Sequence, residues 1–337
     1  MLGVRWWSIP VGDREAVMRW REGLWCSVAA AVLWLGGAGN LVAQQGSIQM
    51  PAGLVPNMGP LTGRSARSQE PIIYVTESYA GVIEAAVPRN LFAIRFDGTY
   101  GNRQPTRAEY LQPKNGFPLI ETKLDTFDFS TYAEYTLTPW FSTFVESSYR
   151  WVNPEVNENA SGPSDTKFGF KLCTWSSERA IATILTRVHQ PTARHAAFGT
   201  GHWSIEPGLL GAFRYNDKIL LEGEFRYFIP INGSDFAGEV LRYGVGLSYG
   251  RRNPYGVWYV PVLEGVGWSV LNGKSIVASS PDNFIIQEIH GQHIINAYLG
   301  VRWGYGDRIN MYTGYGRAFT GQAWERDFFR IEMRYSY

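Results

Sequence analysis

From residue 91 to its last residue, the chain alternates between apolar and polar side chains with a period of two. Successive side chains of a β-strand point to opposite faces, so this period predicts strands with one apolar and one polar face. Twelve stretches show it, starting near residues 91, 127, 141, 167, 180, 203, 219, 241, 258, 295, 309 and 329. The pattern therefore predicts an all-β domain of about twelve strands over residues 91–337.

Two features of these stretches favour a membrane barrel over a soluble β-sandwich. Aromatic residues gather at the ends of the apolar faces, as in Tyr149 with Trp151 and Tyr335 with Tyr337, and outer-membrane barrels carry such girdles at both interfaces. Tight connections with turn-forming residues, such as 216–218, also alternate with much longer ones, as in membrane barrels. We therefore expect a transmembrane antiparallel up-and-down β-barrel with both chain ends on the short-turn, periplasmic side.

The first 43 residues have the organisation of a secretory signal peptide. Arginines precede a short apolar core at 24–35, and small and polar residues follow it. This core is too short to span a bilayer as a helix, and in a soluble protein the same pattern would be a buried helix. We expect export with cleavage after Ala43, and translation from either Met1 or Met18.

The composition excludes several classes of function. A formal net charge of +1 provides no basic face for nucleic acid. The only cysteines are Cys26 and Cys173, and Cys26 lies in the predicted signal peptide, so neither a disulfide nor a paired-thiol metal site is expected. The sequence therefore predicts no cofactor and no nucleic-acid partner.

Residues 44–90 lack the period of the barrel stretches. They are rich in Gly, Pro, Ser and Gln, a composition typical of a flexible periplasmic or plug-like segment. Only 72–87 (IIYVTESYAGVIEAAV) is apolar enough to become ordered, as a helix or as a strand. Because this stretch is free to enter the barrel from the periplasm, we expect it to occlude the lumen partly.

Charged side chains occupy the polar faces of the stretches. If the apolar faces meet lipid, these charges line the lumen, where they must be paired or hydrated because burying them unpaired is unfavourable. Acids and bases nearly balance, which argues against strong anion or cation selectivity. A salt-bridged wall that stiffens the barrel and a pore lining that selects solutes both remain open. The predicted lumen-lining residues are Glu134, Glu146, Arg150, Lys167, Lys171, Glu206, Arg214, Glu222, Glu224, Arg226, Arg242, Arg302, Glu332 and Arg334, with Arg95, Asp97, Asp128 and Arg330 on the same faces.

Glu264 breaks the pattern of the ninth stretch. Val262 and Val266 belong to an apolar face that should meet lipid, and Glu264 falls on the same face. A carboxylate at the middle of the bilayer is unfavourable. We therefore expect a β-bulge at Pro261 or Gly265 to turn Glu264 inward, or an interfacial position for it.

The C-terminal stretch carries the most specific signal. Its apolar residues, which alternate with polar ones up to the last position, are Phe329, Ile331, Met333, Tyr335 and Tyr337. This stretch resembles the assembly signal that bacterial outer-membrane proteins present to their insertion machinery. The resemblance implies an outer-membrane location, with the lipid bilayer and the insertion machinery as partners.

A second resemblance covers residues 164–250. Its elements are Pro191-Thr192 at a strand end, the Gly199-Thr200-Gly201 loop and Pro207-Gly208-Leu209 in the next strand, with Ala193 where glycine is usual. In these elements the chain is similar to the MetA-pathway phenol-degradation family of outer-membrane proteins. The resemblance implies a barrel and uptake of small apolar or aromatic compounds, and it assigns no binding residue.

The function that these features favour is a channel or transporter for small solutes. An outer-membrane enzyme acting on lipid is the main alternative, and a structural or adhesive barrel is the next. No serine stands in a nucleophile elbow, and the histidine spacing lacks the regularity of a metal site, so no catalytic or metal-binding residue is predicted. The histidines that lie in or beside the long connections are His189, His195, His202, His290 and His293.

Overall fold

The computed structural model describes residues 75–102, 123–195, 197–233, 236–280, 283–320 and 324–337. The predicted signal peptide and the rest of the chain before residue 75 lie outside these ranges. Within them, no helix is long and apolar enough to cross a membrane. The regular structure of the described residues consists of fifteen β-strands.

In chain order the strands are β1 (Leu91–Asn102), β2 (Leu124–Thr138), β3 (Phe141–Pro154), β4 (Ala160–Pro163), β5 (Thr166–Ser176), β6 (Ala180–Gln190), β7 (Trp203–Arg214), β8 (Ile219–Ile231), β9 (Val240–Tyr249), β10 (Val257–Val270), β11 (Lys274–Ser280), β12 (Asn283–Glu288), β13 (Gln292–Tyr305), β14 (Ile309–Ala318) and β15 (Asp327–Ser336). The short strand β4 pairs only with β3, and β11 and β12 form a separate hairpin. The other twelve strands form the barrel.

The barrel is a closed antiparallel sheet in which each strand pairs with its neighbours in the chain. The last strand closes it on the first, because Leu91 lies opposite Ser336 of β15 as well as Glu134 of β2. Closure satisfies the backbone polar groups between strands and leaves no open edge. The predicted all-β, twelve-stranded up-and-down barrel is confirmed, and the additional strands β4, β11 and β12 lie in the longer connections between barrel strands.

The outward face of the barrel is apolar and exposed. Leu209, Val245 and Leu299, each near the middle of its strand, are 61%, 61% and 65% exposed. A soluble protein rarely exposes a continuous apolar surface, whereas a membrane barrel turns such a surface to lipid. The exterior therefore meets lipid, and the charged side chains of the same strands point into the lumen.

Strand β10 departs from the predicted orientation. Val260 and Val262 are 0% and 1% exposed, whereas Tyr259 and Leu263 are 73% and 53% exposed. The face assigned to lipid thus points into the lumen, and Glu264 lies on it without any bulge, since β10 keeps a regular register with both β9 and β13. The orientation predicted for this stretch was wrong, because its apolar inner face packs against the chain that precedes β1.

The two ends of the barrel differ. Short turns join β2 to β3, β7 to β8 and β13 to β14 at one end. In one of these turns Asn216 Oδ1 accepts hydrogen bonds from the amides of Lys218 and Ile219, both at 2.9 Å. The longer connections, including β4 and the β11–β12 hairpin, lie at the other end, here called the long-loop end. Both chain ends of the barrel lie at the short-turn end, as the even number of strands requires.

Candidate functional site

Residues 75–90, here called the inner segment, lie inside the barrel. Val75 and Ala80 are fully buried. The segment starts near the short-turn end, where Arg214 Nη2 is 3.0 Å from Glu77 Oε2, and it returns there to continue into β1. It forms no helix or strand, so its backbone polar groups depend on side chains of the barrel wall for partners.

Glutamates of the wall accept the amide hydrogens of the inner segment. Glu264 accepts three successive ones, from Gly81 (3.1 Å), Val82 (2.8 Å) and Ile83 (2.8 Å). The carboxylates therefore take the place that a neighbouring strand would have in a sheet. The remaining contacts of this kind run from Tyr79 and Ala80 to Glu222 (3.0 and 2.9 Å), from Glu84 to Glu224 (3.0 Å) and from Arg89 to Glu134 (3.1 Å).

Arginines of the wall donate to the carbonyl oxygens of the same segment. Arg302, which is 1% exposed, donates to the oxygens of Tyr79 (2.8 Å) and Ala80 (2.7 Å). Charged side chains of the wall thus bind both the amide hydrogens and the carbonyl oxygens of the inner segment. Further bonds run from Arg330 to Gly81 O (2.6 Å), from Arg242 to Val82 O (3.0 Å) and from Thr183 Oγ1 to Ala86 O (2.6 Å).

Tyr312 of β14 contacts the middle of the inner segment and helps to hold it in place. Its hydroxyl donates to Glu264 Oε2 at 3.0 Å, the oxygen that also accepts from Gly81. Its ring lies against three glycines, Gly81, Gly300 and Gly314, and a methyl group added to any of them would collide with the ring. Glycine at position 81 is therefore required for the segment to pass this close to the wall.

Glu84 places a carboxylate among buried cations. Its Oε1 is 2.9 Å from Lys171 Nζ, and its Oε2 is 2.6 Å from Arg187 Nη2. Lys171 and Arg187 are 1% and 6% exposed. On their other sides Lys171 contacts Glu134 at 2.9 Å and Arg187 contacts Glu206 at 3.5 Å.

The predicted lumen-lining residues lie on the inward face of the barrel, and most of them take part in ion pairs. Glu332 has three arginine partners, Arg302 (2.9 Å), Arg334 (2.7 Å) and Arg95 (2.9 Å). Arg187 and Glu264 also contact the inner segment, although neither was in the predicted set. The other pairs are Lys167 with Glu146 (3.3 Å), Arg226 with Glu224 (3.2 Å) and Glu206 (3.5 Å), Arg242 with Glu224 (2.7 Å), Arg150 with Asp128 (2.7 Å) and Arg330 with Asp97 (2.6 Å).

Two cavities border the inner segment among the described residues of the lumen. A narrow one of about 130 Å³ lies beside residues 81–85 and is lined mainly by charged groups. A larger one of about 240 Å³, here called the vestibule, lies on the long-loop side of Val82. Arg187 and Arg242 line both cavities, so they stand at the boundary between them.

The vestibule combines aromatic rings with charges. Trp268 and Trp324 have ring centroids 5.7 Å apart, and Tyr298 meets Phe328 edge-on at 5.4 Å. The guanidinium of Arg242 lies over the Trp268 ring at 5.2 Å. Such a lining suits a small solute that has both an apolar body and a polar group.

Glu325 closes one side of the vestibule from the connection between β14 and β15. Its Oε1 accepts hydrogen bonds from Asn296 Nδ2 (3.1 Å) and the Tyr298 hydroxyl (3.3 Å). Burial raises the pKa of this carboxyl to about 7, and the negative charge of Asp97 acts in the same direction. The side chain therefore changes its charge near neutral pH.

Two histidines at the long-loop end lie within hydrogen-bond distance of a serine, His202 with its near neighbour Ser204 (3.2 Å) and His293 with Ser269. His293 Nδ1 lies 2.8 Å from Ser269 Oγ, across the β10–β13 ladder. Sequence inspection missed this pair because its members are distant in the chain. In a hydrolase the histidine would also need an orienting acid, and no acidic side chain contacts His293 within the described residues. The described residues also contain no group of metal-ligating side chains.

Two of the three motifs of the family resemblance, Pro191-Thr192 with Ala193 and Gly199-Thr200-Gly201, meet around one carboxylate. Asp165 accepts hydrogen bonds from the amides of Ala193 (3.1 Å) and Thr200 (2.7 Å). A methyl group at Gly199 would collide with Asp165, so glycine is required there. These motifs therefore shape a connection at the long-loop end and do not line the vestibule.

The C-terminal strand pairs along its length with β1 and β14. Ile331 and Met333 are exposed on the lipid side, as are Tyr335 and Tyr337, whose rings stack at 6.4 Å. The Tyr337 hydroxyl donates to Glu134 O at 3.1 Å. A function of this strand in recognition by the insertion machinery stays a prediction.

Solved structures of outer-membrane barrels have similar folds. The COG4313 outer membrane channel from Pseudomonas putida F1 is 15% identical, with 77% of this chain and 98% of that chain covered and a TM-score of 0.49. The NanC porin is 10% identical over 72% and 100% of the two chains, with a TM-score of 0.45. LpxR from Salmonella typhimurium is 10% identical over 73% and 100%, with a TM-score of 0.42. No protein-family model and no curated protein sequence matches the chain.

Proposed function

We propose that this chain is an outer-membrane channel for small solutes and that the inner segment closes it. The observation that carries the proposal is the binding of the backbone of residues 79–86 across a polar lumen by side chains of the wall. Water can replace such side-chain contacts when the segment moves, because charged lumen groups can be hydrated in an open pore. A purely structural barrel would not need a separate stretch of chain at its centre.

The structure also supports a direction of approach for the solute. The vestibule lies at the long-loop end, the outer side of a barrel whose chain ends face the periplasm. Its aromatic rings favour the apolar or aromatic solutes that the family resemblance implies, and its charges favour a polar substituent on them. We therefore propose small amphipathic compounds as the solute class.

The test is a comparison of two deletions in planar bilayers. Removing residues 44–86 takes away most of the inner segment and is expected to raise the conductance several-fold. The matched control removes residues 44–70, keeps the inner segment and should conduct as little as the full chain. A heat-modifiable gel band checks that each barrel has assembled. Equal conductance of both deletions would contradict closure by the inner segment.

The Ser269–His293 pair supports an alternative function, hydrolysis of a membrane lipid at the long-loop end. The alternative predicts release of fatty acid from phospholipid vesicles by the purified barrel, and loss of this activity in Ser269→Ala. A nucleophilic serine activated by histidine requires this outcome. Unchanged release in Ser269→Ala, or none from the intact protein, would eliminate it.

A further inference from the structure

We propose that the buried cations around Glu84 form a binding site for the carboxylate of a small organic anion, and that Glu84 occupies this site when the channel is closed. The proposal rests on the proposed channel function and names its substrate class. Glu84 then acts as an internal substitute for the solute, and a carboxylate solute opens the channel by displacing it.

Side chains of the barrel wall build the site. Lys171 and Arg187 lie on adjacent strands, are almost completely buried and contact one Glu84 oxygen each, at 2.9 and 2.6 Å. Two donors of this kind, one on each oxygen, recognise a carboxylate geometrically as well as electrostatically. The carboxylate they hold belongs to the inner segment and not to the wall.

The wall cations around Glu84 belong to a network of ion pairs. Wall ion pairs run from Lys171 to Glu134, and from Arg187 through Glu206, Arg226 and Glu224 to Arg242. Glu84 adds a carboxylate contact to two of these cations, Lys171 and Arg187. When Glu84 leaves, each of them loses that contact at a buried position, which is unfavourable unless an anion or water replaces it.

The cation site borders the vestibule. Arg187 and Arg242 line the vestibule as well as the cavity beside Glu84, and Val82 of the inner segment lies between the two. A solute in the vestibule therefore reaches the edge of the cation site before the segment has moved. The rings of Trp268 and Trp324 can hold its hydrocarbon part there, so an aromatic carboxylate fits both regions.

The experiment asks whether an added carboxylate replaces that of Glu84. Glu84→Ala in the full chain should lower the temperature at which the heat-modifiable gel band shifts, because Lys171 and Arg187 lose a partner. Sodium benzoate should restore several degrees of this loss, since a ligand that binds only the folded state stabilises it. Benzamide, its neutral analogue, should have no effect, with sodium chloride keeping the ionic strength equal.

Glu77→Ala is the matched control within the same segment. Its carboxylate is 22% exposed, against 17% for that of Glu84, and it pairs with the single cation Arg214. Benzoate should not stabilise this variant. In the intact protein, Glu84 competes for the site, so the benzoate concentration of half effect should be at least about tenfold higher than in Glu84→Ala.

Several outcomes would overturn the proposal. Equal stabilisation by benzamide would show a hydrophobic effect, and equal stabilisation of Glu77→Ala would show a general effect of the anion. If Glu84→Ala does not assemble, its refolding yield in liposomes with benzoate and with benzamide gives the same comparison, and equal yields contradict the site.

The site and the channel can fail separately. If deletion of residues 44–86 raises conductance but benzoate does not rescue Glu84→Ala, the channel stands and the carboxylate site is wrong. If benzoate rescues Glu84→Ala but the deletion does not conduct, the anion site stands and the channel function is wrong.

Discussion

The middle of the lumen and the vestibule contain the same types of charged side chain but satisfy them differently. In the vestibule, wall charges pair with wall charges, as in Asp128 with Arg150 (2.7 Å) and Asp97 with Arg330 (2.6 Å). In the middle, Glu264 forms no ion pair with any described residue, and its partners are the amides of the inner segment and the Tyr312 hydroxyl. The carboxylates of these vestibule pairs have their cations within the wall, although Arg330 also donates to Gly81 O, whereas Glu264 loses three of its hydrogen-bond donors without the segment.

This difference bears on how the lumen can open. Buried charges that lose a partner are unfavourable. Removing the inner segment from the wall therefore costs free energy, which holds the segment in place. An open state must supply water or solute to the same groups. The middle of the lumen is therefore where a change in the wall should affect both stability and conductance, and the vestibule is where it should affect neither strongly.

The largest expected effect is a difference in stability between variants of two arginines, Arg302 in the middle of the lumen and Arg150 in the vestibule. Arg302→Met removes the donor to Tyr79 O and Ala80 O and leaves Glu332 with fewer partners, which should cost about 3–5 kcal/mol of unfolding free energy. Arg150→Met in the vestibule should cost less, about 1–2 kcal/mol, because it removes the hydrogen bonds to a single carboxylate that also borders the vestibule cavity. Urea unfolding in liposomes measures both, and equal losses would remove the distinction between the two regions.

Much of the fold could be predicted from the sequence because lipid and water impose opposite requirements on alternate residues. The orientation of β8, for example, follows from Leu221 and Phe225 on one face and Glu222 and Glu224 on the other. The prediction was wrong for β10 because a third environment, the inner segment, makes an inward face apolar. From one strand alone, an apolar face toward lipid and one toward a buried segment look the same.

The site was harder to predict for the same reason. Arg187 was not in the predicted lumen set because its stretch, β6, has weak alternation. Leu185 on the same inward face packs in the core that contains the inner segment, so apolar and charged residues share that face. The sequence indicated that 72–87 is the stretch that enters the barrel, but which wall residue meets which amide depends on contacts between distant residues.

The next largest effect is a difference in stability and conductance between variants of two carboxylates, Glu264 and Asp128. Glu264→Gln keeps the shape of the side chain but places an NH₂ group where one carboxylate oxygen accepts hydrogen bonds. At least one amide of the inner segment, or the Tyr312 hydroxyl, then loses its acceptor, which should cost about 1–3 kcal/mol and increase the conductance. Asp128→Asn in the vestibule should cost less stability, because one amide oxygen still accepts from Arg150, and it should leave the conductance unchanged. If Glu264→Gln changed neither the unfolding free energy nor the conductance, the hydrogen bonds from the amides to Glu264 would not be what holds the segment.

A smaller effect is expected from a single methyl group. Gly81→Ala would bring its Cβ into the Tyr312 ring, so the segment must shift, at about 1–3 kcal/mol for overpacking. Bilayer recordings should show a leak that the intact chain lacks. Gly98→Ala is the matched control on the outer face of β1, where the nearest atom, on the Phe127 ring, is 3.4 Å from the added carbon. A leak in both variants would point to a general loosening of the barrel.

The smallest effect should be confined to the vestibule and depend on pH. Burial raises the pKa of Glu325 to about 7, Asp97 adds to the increase, and the Tyr298 hydroxyl, Arg242 and Arg330 oppose it. Because this pKa exceeds the ordinary value of 4.5, the packed connection binds the proton more tightly than the loosened one. Protonated Glu325 therefore stabilises the packed connection. This stabilisation is fully present below about pH 4.5 and is lost as the pH rises through about 7.

Tryptophan fluorescence should report this loosening, because Trp324 next to Glu325 packs on Trp268. The signal should change with a midpoint near pH 7 in the intact protein and not at all in Glu325→Gln, which stays neutral at every pH. Conductance should stay unchanged over the same range, since the contacts of the inner segment do not include Glu325. A conductance that followed the fluorescence would show that the two regions are coupled and that the vestibule controls the position of the inner segment.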